Sequence, residues 1–118
     1  MANEMLVKNY IAGAAITPRR IVRFDTADGV VVQAAAATDL SIGVCAEVGP
    51  ASGERCDIIR YGLADTEFGG TVARGAMVTA DAAGKAVAAS AGNRVIGIAE
   101  VSAVAGDIGP VHIMISVM

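Results

Sequence analysis

Residues able to carry out acid–base, nucleophilic or metal chemistry are few in this 118-residue chain. His112 is the only histidine, so one chain offers no metal site with two imidazole ligands. It shares a strand face with Ser116 in an alternating segment, which predicts a solvated or hydrogen-bonded strand residue. Cys45 and Cys56 could form one disulfide by count alone, but in a reducing compartment we expect two small buried hydrophobic side chains.

The charged residues offer no better candidate for chemistry. Asp65 and Glu67 lie in a Gly-containing stretch and are predicted to be solvated loop charges, because nothing in the sequence suggests that burial tunes their pKa values. The pair Gly84-Lys85 lacks the upstream glycine and the downstream Ser or Thr of a phosphate-binding P-loop. The sequence therefore predicts no catalytic, cofactor-binding or metal-binding residue, and the protein is predicted not to be an enzyme.

Composition favours a β protein that contacts other chains. The chain has 24 Ala, 15 Val and 11 Ile but only 3 Leu. β-Branched residues pack well on a pleated surface, whereas Leu is the commonest apolar residue of helices. A mean hydropathy of +0.57 is high, and exposed apolar patches of the kind it implies mark contact surfaces. We therefore expect an oligomer or a bound partner.

Charge and targeting signals narrow the partners and the compartment. The net charge is -3, and the basic residues are scattered except for the pair Arg19-Arg20, so a basic face for nucleic acid is missing. No apolar run approaches the ~18 residues that span a bilayer. An acidic residue, Glu4, stands where a signal peptide would be basic. We expect neither nucleic acid nor membrane as a partner, and a protein made in a cytoplasm.

The sequence repeats itself once. In both copies an Ile-Gly-β-branched core is followed by an Ala and a Glu, ending at Glu47 and Glu100, and then by a Gly-containing turn. The offset stays close to 54 residues, which indicates an internal duplication, and two copies predict a pseudo-symmetric domain instead of a solenoid. The offsets are 55 residues from Gly29 to Gly84, 54 from Gly43 to Gly97 and 53 from Gly53 to Gly106.

The segments between these glycines are predicted to be short strands. Asp28-Gly29 predicts a hairpin turn between strands at 21–25 and 30–33, and residues 81–85 predict a second. Residues 111–117 alternate with a period of two, and residues 62–70 are predicted to be a connection between the copies. The predicted fold is mainly β with little helix, a compact small β-barrel or β-sandwich-like domain with the pseudo-repeat of about 54 residues.

Residues 1–10 stand outside both copies and are predicted to be an N-terminal arm. The alternatives are that this segment is a first strand paired into the sheet, or a frayed end. The remaining residues, 11–118, are predicted to be a single β domain with copies at about 14–61 and 72–117.

Several phrases of the chain resemble the small capsid decoration, or cement, proteins of tailed bacteriophages. The resemblance covers nearly the whole chain, and its glycine and small-residue phrases occur in order. They are Gly13-Ala14-Ala15-Ile16-Thr17-Pro18, Ile21-Val22, Ile42-Gly43-Val44-Cys45-Ala46-Glu47, Gly75-Ala76-Met77-Val78-Thr79-Ala80-Asp81 with Gly84-Lys85-Ala86-Val87, Val95-Ile96-Gly97-Ile98-Ala99-Glu100 and Ala105-Gly106-Asp107.

The resemblance implies a homotrimer on the outer surface of a mature phage head, where neighbouring capsomers meet. It implies contact with the major capsid protein through the N-terminal arm, and a stiffening of the shell against the pressure of packaged DNA. Such a role implies no cofactor. An extended arm can add a strand to an exposed sheet edge, and we assign this part to Asn3, Glu4, Met5, Leu6, Val7 and Lys8, although the arm is shorter than in some members of the family.

Two other functions stay open from the sequence. A small β module that binds a carbohydrate-type ligand would share the short Gly-rich strands, but the paucity of aromatic side chains for stacking on sugar faces argues against it. A structural component of a phage tail or neck is the other alternative.

Overall fold

A computed structural model of the chain describes residues 6–117, with the main chain alone for Val117. Within this range every regular element is a strand, which confirms the mainly β fold that the sequence predicts. No described segment forms a helix with the length and apolarity needed to cross a membrane. The strands are β1 (Leu6–Ala12), β2 (Ile21–Phe24), β3 (Val30–Gln33), β4 (Ser41–Cys45), β5 (Arg55–Glu67), β6 (Met77–Ala80), β7 (Ala86–Ala88), β8 (Arg94–Ala99) and β9 (Ile108–Val117).

The first five strands close into a small barrel in the order β1, β3, β2, β4, β5. β1 closes the ring because it pairs antiparallel with β5, with Tyr10 opposite Cys56, and parallel with β3, with Ile11 opposite Val30. We call this barrel, residues 6–61, the first unit. Small and β-branched side chains fill its interior, and the buried set is Tyr10, Ala12, Ile16, Val22, Val31, Ile42, Cys45, Cys56 and Ile58.

The second unit, residues 62–117, repeats this arrangement with the second half of β5. Residues Gly62 to Glu67 pair antiparallel with β9, and β8, β6 and β7 follow in that order. Phe68 continues the strand into a parallel bridge with Ala86, which corresponds to the pairing of β1 with β3. The core of this unit is continuous with Ile21, Ala34 and Val44 of the first unit, so the two units pack against each other.

Main-chain hydrogen bonds show that the second half of β5 corresponds to β1. The amide of Gly13 donates to the carbonyl of Val31 (2.8 Å), and the amide of Gly69 donates to Ala86 (2.9 Å). The duplication therefore begins at β1. Two further pairs agree: the amide of Ala12 donates to Glu54 as that of Phe68 donates to Asp107, and the amide of Gly53 donates to Ala12 as that of Gly106 donates to Phe68.

Two sequence expectations need correction. Residues 62–67 of the predicted connection are strand, because main-chain pairing with β9 overrides their local Gly and polar character. Glu47 and Glu100 are not equivalent. The amide of Ala46 donates to Asp57 as that of Glu100 donates to Pro110, so Glu100 corresponds to Ala46, and Glu47 lies one residue further along the chain.

The N-terminal segment lies in the sheet from Leu6 onward. Residues 6–10 belong to β1, as in the alternative that the segment is a first strand. Asn3, Glu4 and Met5 of the predicted arm lie outside the described residues. A part in binding a capsid stays a prediction for all six arm residues.

Glycines at one repeat position let neighbouring strands approach closely. A Cβ on Gly97 of β8 would overlap the carbonyl oxygen of His112 on β9, and a Cβ on Gly43 of β4 would overlap that of Ile59 on β5. Both clashes involve main chain, which cannot rotate away as a flexible side chain can. The Ile-Gly phrase that repeats in the sequence is therefore required by strand packing.

We expect Gly97→Ala to destabilise the protein, because the new methyl group forces β8 and β9 apart. Overpacking of this kind costs roughly 1–3 kcal/mol. Urea unfolding followed by circular dichroism measures the loss. The matched control is Gly70→Ala, whose Cβ would meet only the side chain of Val87, at 3.7 Å. Equal stability of the two variants would contradict the packing role of Gly97.

Candidate binding surfaces

The cysteines are buried thiols of the first unit. Both are free, as expected for small core side chains. Burial, followed by the charges of Cys56 and Asp57, raises the pKa of Cys45 to about 11. Burial and then Asp57 also raise the pKa of Cys56. Since the thiolate is the reactive form, neither residue is set up as a nucleophile or a metal ligand.

The remaining chemistry-bearing residues are dispersed. Within residues 6–117 no group of three or more His, Cys, Asp or Glu side chains is placed to hold a metal ion. The ring of His112 packs edge-on against Tyr61, with centroids 5.5 Å apart and planes at 72°. His112 therefore belongs to a surface formed by β5 and β9, with no carboxylate or nucleophile assembled around it in the described contacts.

The first candidate binding surface is an open groove beside Arg19, a residue with an unusual backbone conformation. Arg19 has a φ of 63°, and Gly75, which corresponds to it in the second unit, has 87°. Both residues begin a bulge in which two residues face one on the next strand. The Arg19 guanidinium lies 3.7 Å from Glu47 and 3.9 Å from Asp65. Among the described residues that line this groove, Arg19 is the one cation, and the two carboxylates already balance its positive charge, which disfavours an anionic ligand.

The second candidate is polar and lies where the two units meet. The Nε of Arg20 donates to Oε1 of Glu67 (3.0 Å), and Lys85 Nζ lies 3.4 Å from Oε2 of the same carboxylate. Arg20 and Gln33 both donate to the carbonyl of Ala83, each at 2.8 Å. Glu67 is therefore a structural ion-pair partner, and its predicted place in a solvated loop is wrong because β5 carries it into this junction.

The ion pairs set the protonation of Glu67. Burial alone would raise its pKa, but hydrogen bonds and positive charges from Arg20 and Lys85 outweigh burial and hold the pKa below its ordinary value. The carboxylate form is thus the one that stabilises the junction.

The third candidate is an apolar face at the end of β1, where the two halves of β5 and strand β9 meet. Leu6 lies opposite Tyr61, and Leu63 lies opposite His112. Leu6 is 56% exposed and Tyr61 is 49% exposed, and Met114 follows on the same face of β9 at 42%. We call Leu6, Tyr61, Leu63, His112 and Met114 the terminal face.

Of the predicted arm residues, three are described by the structure, and one of them lies in this face. Leu6 is part of it, and the neighbouring Val7 is also exposed. The Nζ of Lys8 lies over the ring of Tyr10, 5.4 Å from its centroid. The sequence did not point to Tyr61 or Met114. Each is a large apolar residue at an outward position of an alternating strand. This feature can be recognised in the sequence only when the inward positions of the strand are known.

The geometry defines the class of the protein as a small all-β fold made of two similar five-strand units that share one strand. Its fold is similar to the head fiber gp8.5 N base in bacteriophage phi29, a crystal structure that matches with a TM-score of 0.72 and 20% sequence identity over 98% of each chain. No protein-family model matches the chain, and no curated protein matches it either.

Replacing Glu67 tests the junction through pH. Because the folded pKa is lowered, the contribution of the carboxylate is fully present above the ordinary pKa of an unfolded glutamate and is lost as pH falls through the folded pKa. We expect Glu67→Gln to lower the free energy of unfolding by about 1–3 kcal/mol at pH 7, and by clearly less at acid pH. The control is Glu100→Gln, at an exposed position. A deficit that does not change with pH would contradict the ion-pair role.

Proposed function

We propose that this protein is a structural protein of a bacteriophage head, which binds the outer surface of the capsid at the junctions of capsomers and stabilises the shell against the pressure of packaged DNA. The major capsid protein is its partner. In this role the protein is a homo-oligomer, with a trimer as the expected state, and it is part of the virion after synthesis in the host cytoplasm.

The observation that carries the proposal is the fold likeness to a head fiber base, which extends over 98% of both chains. A match over the whole of each chain means that the two proteins share the same complete double unit. The proposal transfers the head location of that protein to this one. The phrases that resemble capsid decoration proteins point to the same location independently of the fold.

The terminal face supports contact with a large partner. Exposed apolar side chains that lie together on one surface typically mark a protein interface. The face includes residues from β1, β5 and β9, so its side chains are held by paired strands and not by a loop. The proposed capsid-binding arm is residues 3–8, of which Leu6 belongs to this face and Val7 is exposed beside it.

Attachment through several copies at once would strengthen a modest single contact. When one subunit of an oligomer has docked, the others act at high effective concentration, so that avidity exceeds the affinity of one subunit by roughly two orders of magnitude or more. In this proposal the terminal face therefore needs only modest affinity for one capsid site.

Purified virions of the encoding phage test the location directly. A quantitative protein gel should show a band at 11.8 kDa in a ratio near one to one with the major capsid protein, as expected when trimers fill every local three-fold position. Absence of the band, or a few copies per particle, would contradict the decoration role. The second of these outcomes would favour a tail or neck component.

Point substitutions in the terminal face test the binding surface. Deleting residues 3–8 would also remove main-chain pairing of β1 with β5, so a side-chain change is sharper. We expect Leu6→Asp and Tyr61→Asp to weaken binding to capsids at least ~tenfold, because each removes an apolar contact and places a charge in the interface. Co-sedimentation with expanded, undecorated heads measures this.

The matched control is Val48→Asp, at a more exposed apolar position, 76% exposed, outside the terminal face. It should bind as the unchanged protein does. Full binding by both terminal-face variants, with their circular dichroism unchanged, would overturn the assignment of this face.

A further inference from the structure

The contact between the two units uses a different surface of each. The amide of Ile21 in the first unit donates to the carbonyl of Gly84 in the second (2.8 Å). We call the first-unit side the docked socket, made of Arg20, Ile21, Gln33 and the carbonyls of Ala37 and Ser41. The second-unit side is the docked turn surface, made of Glu67, Thr79, residues 81–85 and Arg94.

The turn fits the socket closely. Gly84 is buried, and a Cβ there would lie 2.8 Å from Cγ of Gln33 and 3.1 Å from the carbonyl oxygen of Ala34. Beside it the amide of Arg94 donates to Ala37 (2.9 Å), and its Nε donates to Ser41 (3.0 Å). The contact combines main-chain hydrogen bonds, a buried turn and the Arg20–Glu67 ion pair.

Because the chain is duplicated, each unit carries both surfaces, and one of each is left uncovered. Met77 holds the position of Ile21 in the second unit and is 45% exposed, whereas Ile21 is fully buried. Gly29 holds the position of Gly84 and would meet nothing within 4 Å of an added Cβ. The contact between the units is thus heterologous, since an isologous one would also bury Met77 and Gly29.

The uncovered surfaces differ from the docked ones in a coordinated way. On the socket, Arg20 and Gln33 are replaced by Ala76 and Ala88 in the second unit. On the turn surface, three charged residues of the second unit are replaced by apolar residues of the first: Glu67 by Ile11, Lys85 by Val30 and Arg94 by Leu40. These five positions have thus changed from polar to apolar, whereas two others on the turn surface have become charged, with Arg23 at the position of Thr79 and Asp28 at that of Ala83.

Three of the five apolar replacements are exposed, and Ala76 and Val30 are half-buried. Leu40 is 66% exposed and Ile11 is 36% exposed in the single chain, and Ala88 is exposed as well. The turn is closed by the same main-chain hydrogen bond, from Asp25 to Val30 and from Asp81 to Lys85, each at 2.9 Å, but the free turn is one residue longer. The free turn is therefore flanked by apolar side chains, and the free socket, which corresponds to the docked one, is apolar as well.

We infer that copies of this chain associate head to tail, with the free turn surface of one copy (Ile11, residues 25–30 and Leu40) seated in the free socket of the next (Ala76, Met77 and Ala88). The partner is a second copy because the docked contact within the chain already seats the turn of one unit in the socket of the other. Every copy then makes two identical contacts, and such an assembly closes into a ring or extends as a filament. This inference deepens the homo-oligomer part of the proposed function and rests on it.

Two single-surface variants test the inference with purified protein in the absence of capsid, so that its failure leaves the capsid role standing. Met77→Glu blocks the free socket, and Leu40→Asp blocks the free turn surface. Size-exclusion chromatography with light scattering should show an oligomer for the unchanged chain and an 11.8 kDa monomer for each variant. Val104→Glu, at a 54% exposed apolar position outside both surfaces, should keep the oligomer.

Mixing the two variants distinguishes a heterologous contact from any other. The Met77→Glu chain keeps an intact turn surface, and the Leu40→Asp chain keeps an intact socket, so the mixture should form a one-to-one dimer and nothing larger. A monomeric unchanged chain, an oligomeric variant, or a mixture that stays monomeric would each overturn the proposal.

Building the charged pair of the docked contact into the free contact gives a second test, which measures a gain of association as well as a loss. Ile11→Glu should break the oligomer, because it buries a carboxylate without a partner. Ile11→Glu combined with Ala76→Arg should restore it, because the two changes recreate the Arg20–Glu67 pair of the docked contact. Failure of the second change to raise the mass above that of the Ile11→Glu monomer would contradict the equivalence of the two contacts.

Discussion

The thirteen residues of β5 run through both units as one continuous strand, so a change of angle between the units would have to bend this strand or break its main-chain hydrogen bonds. Residues up to Tyr61 pair with β1, and residues from Gly62 pair with β9. Gly62, with a φ of 101°, stands where the pairing partner changes, and only glycine takes this backbone shape without strain. The arrangement of the two units therefore follows from one strand and one glycine.

The side-chain contacts at the junction then act on a geometry that β5 has already set. Arg20, Glu67 and Lys85 satisfy one another across the junction. An ion pair of this kind contributes less through its own energy than through the cost of leaving one partner alone. This asymmetry explains why charge is tolerated at a partly buried contact inside one chain, where the partner is always present. A surface that meets its partner only after assembly avoids the cost by being apolar.

Much of the fold could be predicted from the sequence because its signals are local. The Asp28-Gly29 turn and the predicted alternation over residues 111–117 each depend on a few neighbouring residues. The turn appears as expected, and so does the alternation through residue 116. Residues 62–67 were missed because a strand with a glycine and two carboxylates among its six residues is defined by the strand beside it, and pairing is not visible along the chain. For the same reason the first strand of the first copy could not be matched with its equivalent in β5.

The candidate surfaces depended even more on tertiary structure. Leu6 was named from its place near the N-terminus, whereas Tyr61 and Met114 join it through strand pairing between distant segments. Ile11 and Leu40 had no visible role until the duplication aligned them with Glu67 and Arg94. Aligning these residues requires the strand register of both units, and the register is defined by main-chain hydrogen bonds.

The narrowness of a five-strand unit explains both the composition and the kind of function that it permits. A small barrel is filled by its own side chains, and here Ala, Val and Ile fill it, with Phe68 as the largest fully buried side chain. The grooves beside Arg19 and Val104 are open to solvent. Outward side chains held in place by paired strands are the surfaces through which the proposed contact with large, repeated partners is made.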